Sequence, residues 1–161
     1  MSDSLVATTN PLLECTAHLF TLVMPLRAGG SDAPDDLYEQ VLNGFDQFER
    51  LAFERQIPTA DVQNAKFAIA AFIDEAVMAS SWARRMEWMS QPLQLKLFGE
   101  HLGGEAFFIK LGELRQRGEQ NLHLLELYYV CLQLGFEGVY KLRGLEQLMA
   151  LQVDLRSQID G

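Results

Sequence analysis

Basic residues are scarce in this 161-residue chain: 13 Lys and Arg stand against 22 Asp and Glu, a formal net charge of −9. The deficit is local. Residues 1–80 hold 12 acids and 4 bases, whereas residues 81–161 hold 10 acids and 9 bases. An acidic half repels phosphate backbones, which argues against nucleic acid as a partner and fits either plain solubility or a basic protein partner. Only two cysteines are present, Cys15 and Cys131, both in apolar helical stretches and without CxxC spacing. Buried free thiols in a reducing compartment are expected, not disulfides. His18, His101 and His123 are scattered and HExxH is absent. His123 and Glu126 stand three apart, but a di-iron bundle needs acidic ligands on four helices, so no metal or cofactor is expected. GxxxxGK is missing, and Gly103-Gly104-Glu105 reads as a tight turn that delivers a helix start. Ser80 and Ser81 lie in no nucleophile elbow. The chain has no basic-then-apolar leader over Met1 to Asn10 and no apolar run of about 20 residues. Alternating strand patterns are lacking too. These absences leave an all-α, non-enzymatic reading.

What is present is apolar helical periodicity, in a chain that is 48% hydrophobic with 12 glycines and 5 prolines placed mostly between periodic segments. Thr9 or Asn10 followed by Pro11 starts a helix whose Leu12, Cys15, Leu19, Val23 and Leu26 share a face, ended by Gly29-Gly30. Leu37, Val41, Phe45, Phe48 and Ala52 mark a second helix closed by Pro58. Val62, Ala65, Ile69, Phe72 and Ala76 mark a third, from Thr59 or Asp61, with bundle-seam spacing. Ser80 to Ser90 reads as irregular, and Pro92 opens a short helix through Leu97 or Phe98. A helix from Glu105 to Arg117 turns Phe107, Phe108, Leu111 and Leu114 inward. Leu124 to Leu134 carries Glu126 as its only charge and is predicted to be a central core helix, stopped at Gly135. Positive φ is expected at Gly135 and also at Gly138, with Phe136 and Tyr140 packing back on that helix. A last amphipathic helix points Leu145, Leu148, Leu151, Leu155 and Ile159 inward.

Asp74 and Glu75 are the only charges between Phe67 and Ala79. Adjacent helical positions differ by about 100°, so the two carboxylates diverge and do not form a facing acid–base pair of the glycosidase kind. Each must be paired, wet or waiting for a partner; Arg84 or Arg85 is a candidate internal partner for Glu75. Glu126 and Glu137 read as core residues hydrogen-bonded to Tyr or Arg. In Trp82-Ala83-Arg84-Arg85-Met86-Glu87-Trp88 the tryptophans plug a junction while the arginines pair with acids.

Several of these segments carry a resemblance. LLELYYVCLQLGFEGVY (Leu124–Tyr140), Ala71-Phe72-Ile73-Asp74-Glu75, the Trp82 and Glu87-Trp88 pair of tryptophans, and Phe98 with Gly103-Gly104-Glu105-Ala106-Phe107-Phe108 resemble, in order and spacing, the motifs of the TssL/DotU family. That family is the inner-membrane component of bacterial type VI secretion systems, related to IcmH of type IVb systems. Ile73 and Lys141 are conservative departures, and the resemblance spans roughly Asn10 to Arg143.

The resemblance implies two small three-helix bundles, about residues 10–81 and 103–159, joined by a segment 82–102 and packed together with a groove between them. It implies a module facing the cytoplasm, with a transmembrane anchor expected outside these 161 residues. The implied role is docking the baseplate to the inner membrane through an acidic groove, with Asp74, Glu75, Arg84, Arg85, Glu87 and Trp88 as partner-binding residues. A TssM-like inner-membrane protein and a TssK-like baseplate protein are the implied partners, with a TssE-like protein as a further one; the alternative reading is a small-ligand-binding or regulatory helical bundle. Reversing Asp74 and Glu75 to Lys is expected to weaken docking while leaving the fold intact. Self-association, aided in the family by the anchor, is expected to be weak here and strengthened by salt, since no long apolar stripe is predicted to remain once the helices pack.

Overall fold

Asn10 opens helix α1 (Pro11–Leu22) in a computed structural model of the chain, which describes residues 9–100 and 103–161. The leader reading of Met1 to Thr8 and the position of His101 lie outside the described residues. The Asn10 side chain accepts from the N–H groups of Leu12 and Leu13 at 2.9 and 3.2 Å, a full N-cap. Its amide then donates to the carbonyl of His123 at 3.0 Å and to Glu126 Oε1 at 2.9 Å. One buried Asn therefore both starts α1 and ties it to the helix that carries Glu126. Asn10, not the expected Tyr or Arg, is the Glu126 partner; the Glu137 side chain has no hydrogen-bond partner among the described residues.

α1 ends four residues earlier than its apolar spacing predicts. Pro25 lacks the N–H that would continue the ladder, and its ring crowds the preceding turn. The chain tightens into a 3₁₀ segment over Met24–Gly29, which keeps Val23 and Leu26 in the core. Helix α2 (Leu37–Glu54) matches its predicted face, with Leu37, Val41, Phe45, Phe48 and Ala52 all buried, whereas α3 (Thr59–Ala79) buries its predicted Val62, Ala65, Ile69 and Phe72 and much more besides. Two short helices follow, α4 (Arg85–Ser90) and α5 (Leu93–Phe98). α4 lies inside the segment expected to be irregular; six residues with one buried side chain, Trp88, offer no periodicity to read. Then come α6 (Gly103–Gln116), a 3₁₀ turn, α7 (Leu122–Gln133), the single-turn α8 (Tyr140–Arg143) and α9 (Leu145–Asp160). No strand occurs among the described residues.

α3 is the spine. Phe67 to Ile73 are buried without a break, which no amphipathic surface helix allows, and α3 packs against α5, α6, α7 and α4 as well as α1 and α2. Its alanines at 65, 68, 70 and 71 let those neighbours approach. α7 is the second buried helix, and Tyr128 crosses to α3 through its hydroxyl, which donates to the Asn64 carbonyl at 2.9 Å. The buried apolar side chains form one cluster shared by residues from α1 to α9. Each fully buried Phe or Leu in it is worth about 1.5–3 kcal/mol.

After α7 the chain turns as its glycines predict, with φ of 114° at Gly135 and 52° at Gly138. The two differ in what else they require. A Cβ on Gly135 would meet open space, so only its φ demands glycine. A Cβ on Gly138 would stand 2.6 Å from the Gly104 carbonyl oxygen and 2.9 Å from the Phe108 ring. There the turn presses onto the start of α6, and Val139 N–H donates to that same carbonyl at 2.9 Å. Phe136 then stacks on Phe107 at 4.3 Å between centroids, and Tyr140 meets Phe108 edge-on at 4.8 Å.

α9 departs from expectation. Leu148 and Leu155 are buried against the core, but Leu145 is 50% exposed, and Met149 and Val153 stand out at 65% and 69%. An apolar row is left over on the outer face of α9, contrary to the expectation that none remains.

Gly135→Ala should lower stability by about 1–2 kcal/mol through φ alone. Gly138→Ala should cost distinctly more, because steric overlap with Gly104 and Phe108 adds to the same strain. Thermal unfolding of both variants checks this; equal melting temperatures would refute the close-approach argument.

Candidate functional site

Pro92 precedes α5 and carries no side chain able to cap it. The cap comes instead from α3. Asp74 Oδ1 accepts from Leu93 N–H at 2.8 Å and from the Trp88 indole N–H at 2.8 Å. Its Oδ2 accepts from the Gln94 backbone N–H at 3.0 Å and the Gln94 side-chain amide at 3.1 Å. Burial pushes the Asp74 pKa above the ordinary Asp value, while the four N–H donors pull it back down. Asp74 is 4% exposed and Trp88 3% exposed, so neither of these two expected partner-binding residues offers more than a small area to a partner. Both are internal, and together they pin α4 and α5 to α3.

Glu75, one residue on, turns toward the other side of α3. Its carboxylate accepts from the N–H groups of Glu137 and Gly138, each at 2.8 Å, with Lys141 Nζ at 3.9 Å. Its internal partners are therefore the turn after α7 and Lys141, not Arg84 or Arg85. Glu75 lies on the wall of a cleft of about 370 Å³ bounded also by Arg27, Phe72, Leu134, Glu137 and Lys141. Two acids and two bases face that cleft, so it is mixed in charge, not acidic.

The acidic concavity is elsewhere. A pocket of about 300 Å³ lies between the start of α2 and the Trp82–Gln91 segment. Trp82 and Trp88 meet edge-to-face at 5.8 Å, Tyr38 packs on Trp88 at 4.9 Å, and the Tyr38 hydroxyl donates to the Gln91 carbonyl at 2.9 Å. Asp35, Glu39, Glu87 and Arg84 complete the lining. Arg84 grips Glu87 with two bonds of 2.7 and 3.1 Å and donates to the Asp35 carbonyl oxygen at 2.9 Å. The Arg84 hydrogen bond holds the Glu87 pKa below its ordinary value. The Asp35 and Glu39 carboxylates make no ion pair among the described residues. Arg85 sits apart from this rim and donates to the carbonyls of Ser80 and Met78 at the end of α3. Sequence reading found Arg84, Glu87 and the tryptophans but missed Asp35, Tyr38 and Glu39. Only their clustering with Trp88 in three dimensions distinguishes them from ordinary polar residues of a helix start.

A family model for the type VI secretion system protein DotU matches residues 11–161. The chain belongs to the DotU family. Three solved structures share its fold. The cytoplasmic domain of TssL from Acinetobacter baumannii is 32% identical, with a TM-score of 0.87 over 94% of this chain and 98% of that one. TssL from Vibrio cholerae is 25% identical, with a TM-score of 0.84 over 94% and 96%. SciP/TssL from enteroaggregative Escherichia coli 042 is 24% identical, with a TM-score of 0.72 over 81% and 76%, a likeness of fold. No curated protein sequence matches the chain. Among the described residues the fold of this DotU-family chain is all-α, and no helix there is long and apolar enough to cross a membrane.

The geometry separates the two carboxylates. Asp74→Ala would orphan buried N–H groups on Trp88, Leu93 and Gln94 and should cost roughly 3–5 kcal/mol. Glu75→Ala frees two N–H groups nearer solvent and should cost about 1–3 kcal/mol. Chemical denaturation measures both; an Asp74→Ala variant as stable as wild type would contradict the capping role. Asp74→Lys with Glu75→Lys, expected from sequence to spare the fold, should unfold it.

Proposed function

We propose that this chain is a non-enzymatic docking module of a type VI secretion membrane complex, holding the baseplate to the bacterial inner membrane from the cytoplasmic side. The observation that carries this reading is the acidic pocket between α2 and α4. Its rim offers Asp35 and Glu39, which make no ion pair among the described residues while the nearby Arg84 is taken up by Glu87, on an aromatic wall fixed by Asp74. Asp35 and Glu39 come from the half of the chain in which acids outnumber bases 12 to 4, and the rest of the wall, Trp82 to Gln91, from the balanced half. Such a surface steers a basic protein toward it and sets register more than it adds raw affinity. Membership of the DotU family supports a TssK-like baseplate protein as the partner docked there, with TssM-like and TssE-like proteins as further neighbours in the complex. The docking surface proposed here keeps Arg84, Glu87 and the wall residue Trp88 of the set expected by resemblance, adds Asp35, Tyr38 and Glu39, takes Asp74 as support from behind, and leaves out Glu75 and Arg85. A pocket of about 300 Å³ is at the small end for a dedicated small-ligand site.

The test is binding kinetics to the TssK-like protein of the same secretion system. Asp35→Lys with Glu39→Lys changes two exposed side chains, so helical content and melting should stay at wild-type values. The association rate at low salt should fall about tenfold or more, and the gap should narrow as salt rises. Wild-type kinetics in this variant would sink the docking surface proposed here.

A further inference from the structure

The chain has two tryptophans, Trp82 and Trp88, and both stand in the wall of the acidic pocket between α2 and α4. They are nearly buried and form its backing. Tyr38 is only half-buried, so its ring is the aromatic surface that the pocket offers to a visitor. An aromatic face attracts a cation held within about 6 Å of its centre. The charges around the ring point the same way: Asp35, Glu39 and Glu87 against the single base Arg84.

Arg84 shows how this lining receives a guanidinium. Its Nε and Nη2 donate to the two oxygens of Glu87, and Nη1 donates to the Asp35 carbonyl oxygen. Glu87 above all, with the Asp35 and Glu39 charges behind it, pushes the Arg84 pKa up. One guanidinium therefore saturates Glu87 and no more. The Asp35 and Glu39 side chains are exposed and make no ion pair among the described residues.

We propose that the pocket takes one arginine side chain of a protein partner, its guanidinium over Tyr38 and its N–H groups on the carboxylates of Asp35 and Glu39. Which protein carries that arginine rests on the docking reading above; the choice of side chain rests on the pocket alone. The volume of about 300 Å³ suits a single long side chain and is too small for a helix or a strand. An acidic side chain would be repelled, and an apolar one would strip water from two carboxylates without replacing it. Arginine is favoured over lysine because its planar fork can serve two carboxylates at once while its face stacks on a ring. Exposed ion pairs contribute little singly, so the isolated side chain should bind weakly, in about the millimolar range. Within a complete interface it would act as an anchor that sets register.

The two indole N–H resonances make the pocket its own reporter, since the chain has no other tryptophan. The experiment titrates the intact chain at low salt with capped tripeptides that carry arginine, lysine or citrulline between two glycines, followed by NMR. The arginine peptide should shift the indole and Tyr38 ring signals saturably, the lysine peptide should bind at least about threefold more weakly, and the neutral citrulline peptide should shift nothing. Asp35→Asn with Glu39→Gln, at two exposed sites, should keep the wild-type melting temperature and lose the saturable shift. No saturable indole shift with the arginine peptide, or an equal shift with citrulline, would overturn the arginine site. So would an undiminished shift in the Asp35→Asn, Glu39→Gln variant, or an arginine peptide that perturbs Asp46 to Glu54 on α2 as strongly as the indoles. Equal binding of lysine and arginine would overturn the choice of a guanidinium. The docking reading is tested separately. If the peptide fails while Asp35→Lys with Glu39→Lys still slows association with the TssK-like protein, the docking surface stands and the arginine anchor falls. If the peptide binds while that association is unchanged, the arginine site stands and serves another protein.

Discussion

Two neighbouring carboxylates on α3 hold together parts of the chain that have no other common partner. A step of about 100° between adjacent helical residues sends Asp74 to one side and Glu75 to the other. Asp74 takes the first N–H groups of α5 and the Trp88 indole, and Glu75 takes the N–H groups at the turn after α7. Both sets of donors occur where the backbone has no internal acceptor: a helix start behind a proline, and a glycine turn with φ of 52° at Gly138. The acids are thus neither idle charges nor a catalytic pair. They are caps supplied across space, on the one helix that touches most of the others.

The pocket depends on that capping. Trp88 is held by Asp74, Tyr38 packs on Trp88 and is fixed at its far end by Gln91, and Trp82 closes the wall with its indole N–H on the Ala33 carbonyl at 3.2 Å. The rim carboxylates of Asp35 and Glu39 therefore project from a preorganised wall, and on the docking reading little ordering entropy is lost when a partner arrives. Any change at Asp74 would act on docking indirectly, through the loss of this wall. A binding defect at Asp74 alone would therefore not identify a contact, whereas one at Glu39 with an unchanged fold would.

Most of the fold is legible in the sequence because periodicity and breakers agree. The face of α2, the extent of α3, the Asn10 cap and the Gly135 stop all follow from residue spacing and backbone chemistry, whereas the burial of α3 on nearly every side exceeds the one seam its spacing shows. What escaped has a common cause. α4 is too short to show a period, and the tightening at Met24 to Gly29 depends on a proline inside an otherwise regular apolar pattern. The acid pair was legible as unusual, but which donors it meets is a tertiary fact: Leu93 and Gly138 lie 19 and 63 residues away from their acceptors. The acidic rim was illegible for the same reason, since Asp35 and Glu39 meet Glu87 only after α2 folds back on α4.

α9 shows where periodicity itself is ambiguous. Its sequence carries two apolar rows, one through Leu148 and Leu155 and one through Leu145, Met149 and Val153, and spacing alone assigns both to a core. Only the neighbours decide, and α7 covers the first row without reaching the second. The aromatic pocket is likewise a tertiary product: Asp35, Tyr38 and Glu39 reach it from the acid-rich half of the chain, and Trp82, Arg84, Glu87 and Trp88 from the balanced half. Electrostatic steering acts over about a Debye length, so on the docking reading salt would weaken capture at the pocket while leaving the aromatic wall that Asp74 holds in place unchanged.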